Sequence, residues 1–480
     1  MRTLAWVAAL GLAGLAGNTM AGGWHHPGHA GFDYGLFQQR QLNSFSPLLF
    51  GVVGPLPASS TKSVDKATAK ADPTSLITVA KSLRVHTVSA EQNLGADIDM
   101  MVLWPNDNSP THIIACNEQG ATEPAVQRIR LSDGKVETIL TGMVSCDPAR
   151  RTAWGTVIVG EEVGPSSTFP GGWLLEIINP LATTDVQFNH VTGALTGADA
   201  GNVTTRSAVG RLAFEGIALY PNGVMYYGDE NRPSQGTPGG AYFKFIPTTP
   251  WTSAGVITHL ADSPLATGKV YRLRLGKRNG NTDYGQGSNS GLGTWIEITS
   301  SSNANLRAAA ATLKLTGYYR PEDADIDGAA LADGSVRFCG NNTGNEGTDR
   351  NWGETICVTD GKLDEATANT ATPEVQYFVM GSAEFAMMDN IAYQPGRGNW
   401  VINEDGDGPD VGRNNDIWAC LEDGDDDDTL SDGCIRVATL NDLTAESTGG
   451  IFNAAGDTYY VSIQHNVTGH GVILKITGWR

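Results

Sequence analysis

The chain has 480 residues, a formal net charge of −20 and 59 glycines. This excess of carboxylates repels nucleic acid phosphates and argues against DNA or RNA as a partner. The length allows a large core or two domains, and many glycines among short apolar runs favour strands and tight turns over helices.

Residues 1–21 have the features of a signal peptide. Arg2 provides a short basic start, and residues 4–16 form an apolar run that is too short to span a bilayer comfortably. Small residues precede the expected cleavage after Ala21, and the leader has no twin-arginine motif. Because no later apolar run is long enough to span, the sequence predicts a secreted or periplasmic protein without a membrane span.

Residues 22–75 are predicted to form an N-terminal extension and linker, and residues 76–480 the compact domain. Within this domain one pattern recurs, in which a strand, a tight turn and a second strand lead to acidic or polar residues. Its clearest copy is residues 217–230, which contain an Asn222-Gly223 turn. Further copies occupy residues 152–162, 329–341, 391–405 and 450–464.

Repeated antiparallel units of this kind predict an all-β fold, a β-propeller with loop and short helical insertions. A propeller brings the equivalent ends of its strands to one axial funnel. Carboxylates at those ends, although distant in the sequence, are therefore expected to meet in a single site.

Residues 320–328 read Arg-Pro-Glu-Asp-Ala-Asp-Ile-Asp-Gly and place one arginine beside four carboxylates. Alternating acids before a glycine resemble the start of a calcium loop, but the twelfth position is Gly334, where an EF-hand requires a bidentate glutamate. Two interpretations stay open, a cation site and a solvated acidic turn. The same alternatives apply to residues 405–410, and His465 at a strand end is either structural or part of the site.

Six cysteines in an exported chain predict disulfides. They are Cys116, Cys146, Cys339, Cys357, Cys420 and Cys434. Bonds between Cys339 and Cys357 and between Cys420 and Cys434 would each close an insertion. Cys116 and Cys146 either pair with each other or leave Cys146 free as a thiolate, and the sequence does not decide between these alternatives.

Several short segments resemble the PhoX-type alkaline phosphatases, over most of the chain from Asp97 onward. The segments that carry the resemblance include Cys116-Asn-Glu118, Gly160-Glu-Glu162, Arg211-Leu-Ala-Phe-Glu-Gly216, Arg320-Pro-Glu-Asp323 and Met388-Asp-Asn-Ile-Ala392. This family consists of secreted bacterial enzymes with a propeller core and a mixed iron–calcium centre. The resemblance therefore implies a propeller of six blades that hydrolyses phosphate monoesters.

The resemblance also implies the residues of the site. Calcium prefers oxygen ligands, whereas a thiolate suits iron. Arg320 and Glu322 are expected to be catalytic, with the planar guanidinium of Arg320 binding phosphate through two N–H groups. The expected metal ligands are Cys146, Glu118, Glu161, Glu162, Glu215, Glu322, Asp323 and Asp389. Small phosphate esters are the expected partners, and a monomer is the expected state.

Two other functions fit a calcium-binding propeller. A hydrolase of the lactonase or esterase type would polarise an ester with one calcium ion, but it needs fewer carboxylates than this chain supplies and has no use for Cys146. A non-catalytic extracellular propeller would use calcium only to brace loops, so Arg320 and Cys146 would be dispensable. The sequence contains neither Gly-x-Ser-x-Gly nor His-Glu-x-x-His, which leaves serine hydrolases and zinc proteases without support.

Overall fold

The computed structural model of the chain describes residues 34–165, 170–233, 239–276, 289–299, 306–312, 315–345, 351–406, 408–424 and 428–480. The predicted signal peptide and the first part of the predicted extension lie outside these residues, as does Asp407 of the acidic segment 405–410. Among the described helices, none is long and apolar enough to cross a membrane.

Strands dominate the fold. The first fourteen are β1 (Ile77–Val79), β2 (Arg84–Ser89), β3 (Ile98–Trp104), β4 (His112–Asn117), β5 (Pro124–Arg130), β6 (Val136–Thr141), β7 (Cys146–Arg151), β8 (Thr156–Glu161), β9 (Leu174–Ile178), β10 (Val186–Asn189), β11 (Ala194–Thr196), β12 (Val203–Thr205), β13 (Phe214–Leu219) and β14 (Met225–Asp229). They are followed by β15 (Tyr242–Pro247), β16 (Gly268–Leu275), β17 (Gly291–Glu297), β18 (Pro321–Ile326), β19 (Ser335–Asn342), β20 (Glu354–Lys362), β21 (Glu374–Met380), β22 (Met388–Tyr393), β23 (Trp400–Glu404), β24 (Asp416–Cys420), β25 (Cys434–Leu440), β26 (Glu446–Phe452), β27 (Thr458–Gln464) and β28 (Val472–Thr477).

The helices are short and lie between strands or at the N-terminal side. The described α-helices are Tyr34–Leu49, Lys66–Ala71, Leu306–Thr312, Gly328–Ala332, Leu363–Ala368 and Gly408–Val411. Single 3₁₀ turns occupy Pro73–Leu76, Ala200–Asn202, Leu260–Asp262 and Pro264–Ala266.

The strands form six antiparallel units that follow one another along the chain. The units are β3–β6, β7–β9 with β12, β13–β17, β18–β21, β22–β25 with β1, and β26–β28 with β2. Strand β17 pairs with both β16 and β21, so the third and fourth units share one nine-stranded sheet. The hairpin β10–β11 extends the first unit through a parallel pairing of β10 with β6.

The first strand of each unit is the innermost one, and these six strands surround the molecular axis. These strands are β3, β7, β13, β18, β22 and β26, and each contacts the next in this order, with β26 returning to β3. A ring of innermost strands with sheets radiating from it is a β-propeller, so the predicted all-β propeller fold is confirmed. The count of six blades stays a prediction, which the ring of six first strands supports.

The repeated pattern in the sequence corresponds to the first hairpin in five of the six units. In the copy at residues 217–230, the Asn222 side-chain oxygen accepts a hydrogen bond of 3.1 Å from the Val224 N–H, and Gly223 has a φ of +91°. This conformation favours glycine, which is why the Asn-Gly pair marks the turn. Neighbouring radial sheets pack face to face. Apolar side chains such as Val102, Ile158 and Val461 are buried between them.

The described part of the predicted N-terminal extension is packed onto the propeller. The helix Tyr34–Leu49 contacts β25, and Phe50 and Val52 after it are fully buried. Strand β1 then pairs with β25, and β2 pairs with β28 near the other end of the chain. The ring is therefore closed by strands from both ends of the sequence.

One local prediction is wrong. Residues 329–332 were expected to form a strand after the acidic stretch, but they belong to the helix Gly328–Ala332. The Asp327 carboxylate caps this helix by accepting hydrogen bonds from the N–H groups of Ala329 and Ala330 at 2.9 and 3.0 Å. An aspartate at this position stabilises a helix start, and that signal outweighs the short apolar run.

All three of the considered disulfides are present, and two of them lie within single units. Cys339 is bonded to Cys357 between β19 and β20, and Cys420 is bonded to Cys434 between β24 and β25. Both bonds join neighbouring strands of one unit. They stabilise the outer part of the fold at a distance from the axial cavity, because none of the four cysteines lines it.

Candidate metal centre

The same backbone irregularity occurs near the start of all six innermost strands. In each first hairpin the innermost strand advances by one residue more than its partner, for example three residues from Ile98 to Met101 on β3 against two from Asn117 to Ala115 on β4. Such a bulge re-aims the side chains that it contains. The first bulge residues are Asp99, Asp147, Glu215, Glu322, Asp389 and Gly449. Five of the six positions therefore carry a carboxylate, and the propeller ring directs them to one axis.

A second ring of equivalent positions follows the second strand of each unit. These positions are Glu118, Glu162, Glu230, Thr343, Asp405 and His465. In the first five, the backbone N–H donates to the carbonyl oxygen of the residue that precedes the innermost strand, at 2.7 to 3.1 Å. The repeated hydrogen bond places the second ring directly beside the first.

Both rings contribute to one axial cavity of about 600 Å³. Nine carboxylates line it among the described residues, namely Asp99, Glu118, Asp147, Glu162, Glu215, Glu322, Asp389, Asp405 and Glu446. The basic side chains in its wall are Arg232, Arg320 and His465. So many acids at close range repel one another unless protons or bound cations compensate their charge.

Two overlapping groups of carboxylates are close enough to hold a cation. Ligand oxygens of Asp147, Glu162 and Glu215 lie within 4.8 Å of one another, and so do those of Glu215, Glu322 and Asp389. Glu215 belongs to both groups. A carboxylate with two oxygens in this position can bridge two neighbouring ions.

The raised pKa values of these groups indicate that ionising all of them together is unfavourable in the absence of cations. Burial raises the pKa of Asp147, Glu162, Glu215 and Asp389 well above their ordinary values, and repulsion between the carboxylates adds to it. Burial also raises the pKa of Glu322 to about 7, although the Arg320 guanidinium opposes the shift. Cations that bind here would replace the protons that these groups otherwise retain.

Two buried oxygen atoms at the cavity have no hydrogen-bond partner among the described residues. They are Asp147 Oδ1 and Gln464 Oε1, on side chains that are 3% and 2% exposed. A buried acceptor without a donor is costly, and a bound cation satisfies it. The donors of the cavity therefore fit a metal that prefers oxygen.

Arg320 lies in the wall of the cavity, as the resemblance implies. It has a φ of +58°, and its Nε donates to Glu230 at 2.8 Å. Its Nη2 lies 3.2 Å from Glu322 Oε1 and 3.8 Å from Asp405 Oδ2. The Thr343 hydroxyl donates to the same Glu322 oxygen at 2.8 Å, so arginine and glutamate are both held in place.

His465, which also lines the cavity, lies between two acids. Its Nδ1 is 3.1 Å from Asp97 and its Nε2 is 2.9 Å from Glu446. Hydrogen bonds to these acids raise the pKa of His465 to about 10. Burial opposes ionisation of Glu446, but hydrogen bonds from Asp405 and His465 lower its pKa to about 2. His465 is thus a cation whose ring nitrogens are both engaged by carboxylates.

The structure places six of the predicted site residues at the cavity. They are Glu118, Glu162, Glu215, Arg320, Glu322 and Asp389. Glu161 and Asp323 lie elsewhere. Glu161 accepts hydrogen bonds of 3.0 Å from the N–H groups of Val144 and Gly172, and Asp323 is paired with Arg150. Each neighbours a lining residue in the sequence, and consecutive residues of a strand point to different sides.

Cys146 does not offer the predicted thiolate, because its Sγ is bonded to Cys116. Both cysteines are buried in the apolar core between the first two units. Asp147, the next residue of β7, is the one that lines the cavity. The alternative that the sequence left open is thereby decided in favour of the disulfide, and the expectation of a sulfur ligand for iron is corrected.

Several lining residues were missed from the sequence. Asp99, Asp147 and Glu446 were not considered, whereas Asp405 was considered within a candidate cation loop and His465 as either structural or part of the site. A sequence signal for Asp99 and Asp147 exists, because five repeats start with an apolar residue followed by an acid. These pairs are Ile98-Asp, Cys146-Asp, Phe214-Glu, Pro321-Glu and Met388-Asp. Glu446 lies three residues before its bulge and follows no such pattern.

Fold and cavity together define a β-propeller with a strongly acidic axial cavity. A family model described as alkaline phosphatase PhoX matches residues 48–466. The chain therefore belongs to the alkaline phosphatase PhoX family, and it is an enzyme of the phosphoric monoester hydrolase class.

Two solved structures illustrate the similarity, and the first of them supports this assignment of the fold. Pseudomonas fluorescens PhoX in complex with vanadate, a transition state analogue, matches with a TM-score of 0.59 and 15% identity, over 88% of this chain and 98% of that chain. The PQQ-bound aldose sugar dehydrogenase from Streptomyces coelicolor matches with a TM-score of 0.42 and 13% identity, over 83% and 99%. No curated protein sequence matches the chain.

Proposed function

We propose that the protein hydrolyses phosphate monoesters in the axial cavity and that calcium ions bound by the bulge carboxylates are required. The observation that supports this most is the repetition around the axis. Five innermost strands each present a carboxylate from the same bulge position, and one of these, Glu322, lies 3.2 Å from Arg320. A phosphate ester needs both features, cations to compensate its charge and a planar donor to orient it.

The cavity walls support binding of an anion only when cations are present. Nine carboxylates against two arginines and one histidine would repel a phosphate. Calcium fits the donors, because it accepts six to eight oxygen ligands from carboxylates and amide oxygens. When bound, such ions polarise phosphoryl oxygens and neutralise the charge that develops in phosphoryl transfer.

The chain's own residues would orient the substrate. Glu230 and Glu322 hold the guanidinium of Arg320 against the cavity wall, and its planar group suits two oxygens of one phosphate. Glu322 is itself fixed by Thr343. The protonated His465 adds positive charge to the cavity wall. These groups align an ester without making covalent bonds to it.

The remaining predictions are kept as part of this proposal. Three disulfides suit an oxidising compartment, so secretion to the periplasm or the medium through the segment 1–21 is proposed. Residues 76–480 are proposed as the catalytic propeller, and residues 22–75 as an N-terminal extension and linker. A monomer is proposed. Iron, which the resemblance implies, stays a prediction whose expected sulfur ligand is bonded to Cys116.

The assay compares three substrates with the mature, calcium-loaded protein. We expect release of phosphate from an aryl phosphate at alkaline pH, and little turnover of an aryl ester or a lactone. Glu322→Gln removes a ligand charge while preserving shape, so it should abolish phosphate release. Glu374→Gln, on the outer strand β21, is the matched control and should keep the activity. Cleavage of the ester or lactone without phosphate release would support the lactonase-type alternative instead.

A further inference from the structure

The donor chemistry of the axial cavity limits the metals that the protein can bind. All six cysteines of the chain lie among the described residues, and all six are bonded in disulfides. The chain therefore has no thiolate to offer to any metal. This holds at the cavity in particular, where the sulfur of Cys146 points into the apolar core and the neighbouring Asp147 lines the wall.

Nitrogen donors are equally scarce. Among the described residues that line the cavity, His465 is the one histidine. Its two ring nitrogens lie 3.1 and 2.9 Å from the carboxylates of Asp97 and Glu446. Arginine side chains do not ligate metals because they have no free electron pair at neutral pH. The donors that remain are oxygen atoms.

The oxygen donors are arranged for more than one ion. Glu215 is common to both groups of close carboxylates, one with Asp147 and Glu162 and the other with Glu322 and Asp389. One oxygen of Asp147 and one of Gln464 are buried at the cavity without a hydrogen-bond partner among the described residues. These atoms are indications of a cation that are independent of the spacing of the carboxylates, because no described residue donates a hydrogen bond to either of them.

We propose that the centre of this protein is built from oxygen donors alone and takes at least two hard divalent cations of the calcium class bridged by Glu215, without a thiolate-bound transition metal. Soft or redox metals prefer sulfur and imidazole, whereas carboxylate and amide oxygens select calcium-like ions. The inference deepens the proposed phosphatase site by naming its cofactor class. It differs from the mixed iron–calcium centre that the family resemblance implies.

The test measures metal content, independently of activity. Protein exported with its disulfides formed is stripped with a chelator, dialysed against calcium or ferrous and ferric salts, and analysed by elemental mass spectrometry and visible absorption. We expect at least two calcium ions per chain, only traces of iron and no visible charge-transfer band. Iron in stoichiometric amount that excess calcium does not displace would overturn the proposal.

Two variants locate the donors. Asp147→Asn removes the charge of the orphaned oxygen and should weaken calcium binding roughly tenfold or more. The pair Cys116→Ala and Cys146→Ala should bind calcium as the wild type does, and the pair Cys420→Ala and Cys434→Ala controls for loss of a disulfide. Unchanged calcium binding in Asp147→Asn, or loss of bound iron in the Cys116/Cys146 pair, would contradict an all-oxygen centre.

Peptide mapping covers the case in which the cysteine pair does not fold. A wild-type peptide in which Cys116 is bonded to Cys146 supports the proposal, and a Cys146 that alkylates without reduction overturns it. The outcome is separable from that of the phosphatase assay. Protein that binds calcium without iron but releases no phosphate would leave this inference standing and refute the proposed function.

Discussion

Glu161 and Glu162 are adjacent residues with different surroundings. Glu162 lines the axial cavity in a group of close carboxylates, whereas both oxygens of Glu161 accept hydrogen bonds from backbone N–H groups. The sequence could not separate them, because a pair of glutamates at a strand end reads the same in either orientation. Which one faces the axis depends on the register of β7 with β8 and on the bulge in β7, and the two glutamates alone define neither.

Matched substitutions should separate the two glutamates. Glu162→Gln removes a charge from the cation site, so we expect calcium affinity to fall roughly tenfold or more with little change in metal-free stability. Glu161→Gln keeps one acceptor but leaves a backbone N–H unpaired, which should lower the free energy of unfolding by about 1–3 kcal/mol. Calorimetric calcium titration and denaturant unfolding measure the two effects. An equal loss of calcium affinity in both variants would restore Glu161 as a ligand.

Substitution of Arg320 tests whether the activity requires a planar guanidinium. Arg320→Lys keeps a positive charge but loses the two-pronged donor geometry, so kcat/KM for an aryl phosphate should fall roughly tenfold to hundredfold. Calcium content should not change. Arg337→Lys is the control, because Arg337 pairs with Asp327 and Glu422 away from the cavity. If the two variants retain equal activity, Arg320 only pairs with neighbouring acids.

At the scale of elements, the bulges of the innermost strands place the site, and close contact between these strands keeps it narrow. A Cβ on Gly216 would overlap the backbone of Asp323 and Ala324 on the neighbouring strand β18. Gly216 follows Glu215 in its bulge, and Glu322 lies in the facing bulge. A methyl group at residue 216 therefore pushes apart two carboxylates that share a cation group.

We accordingly expect Gly216→Ala to weaken calcium binding and to lower the free energy of unfolding by about 1–3 kcal/mol. Gly201→Ala is the matched control, since a Cβ there meets no atom within 4 Å. Calcium titration of both variants, with thermal unfolding in parallel, measures the difference. Normal calcium affinity in Gly216→Ala would show that the spacing of β13 and β18 does not control the site.

The elements that local signals define were predictable. The Asn222-Gly223 turn identified its hairpin, and the repeats identified the propeller. The bulge was not predictable from one hairpin, because an extra residue in a strand leaves no local mark. It becomes visible only when strand starts such as Ile98-Asp and Met388-Asp are aligned. The bond of Cys116 to Cys146 joins two units and had no local signal either.

For the whole molecule, the raised pKa values predict how stability depends on pH without metal. The pKa of Glu322 is raised from 4.5 to about 7, and those of Asp147, Glu162 and Glu215 are raised well above their ordinary values. An acid whose folded pKa is raised contributes stability that is complete below its unfolded pKa and is lost as pH rises through the folded pKa. The metal-free protein should therefore become less stable between about pH 4.5 and 7.

Calcium should reverse this loss, because it binds the folded state alone and competes with protons. We expect the melting temperature in a chelator to fall from pH 5 to pH 8, and added calcium to raise it far more at pH 8 than at pH 5. Glu322→Gln should flatten the dependence in the chelator. A melting temperature that is the same with chelator and with calcium at pH 8 would contradict every cation-based interpretation of the cavity.

The closure of the ring has a consequence for the order of events in the cell. Strand β2 pairs with β28, and the residues that face the axis extend from Asp99 to His465. A ribosome-bound chain cannot close the ring of sheets until its last strand has emerged. No shorter fragment of the nascent protein therefore contains the complete cavity. Cofactor loading is consequently a late, single maturation step, which a chain exported unfolded would complete in the ion composition of its destination compartment.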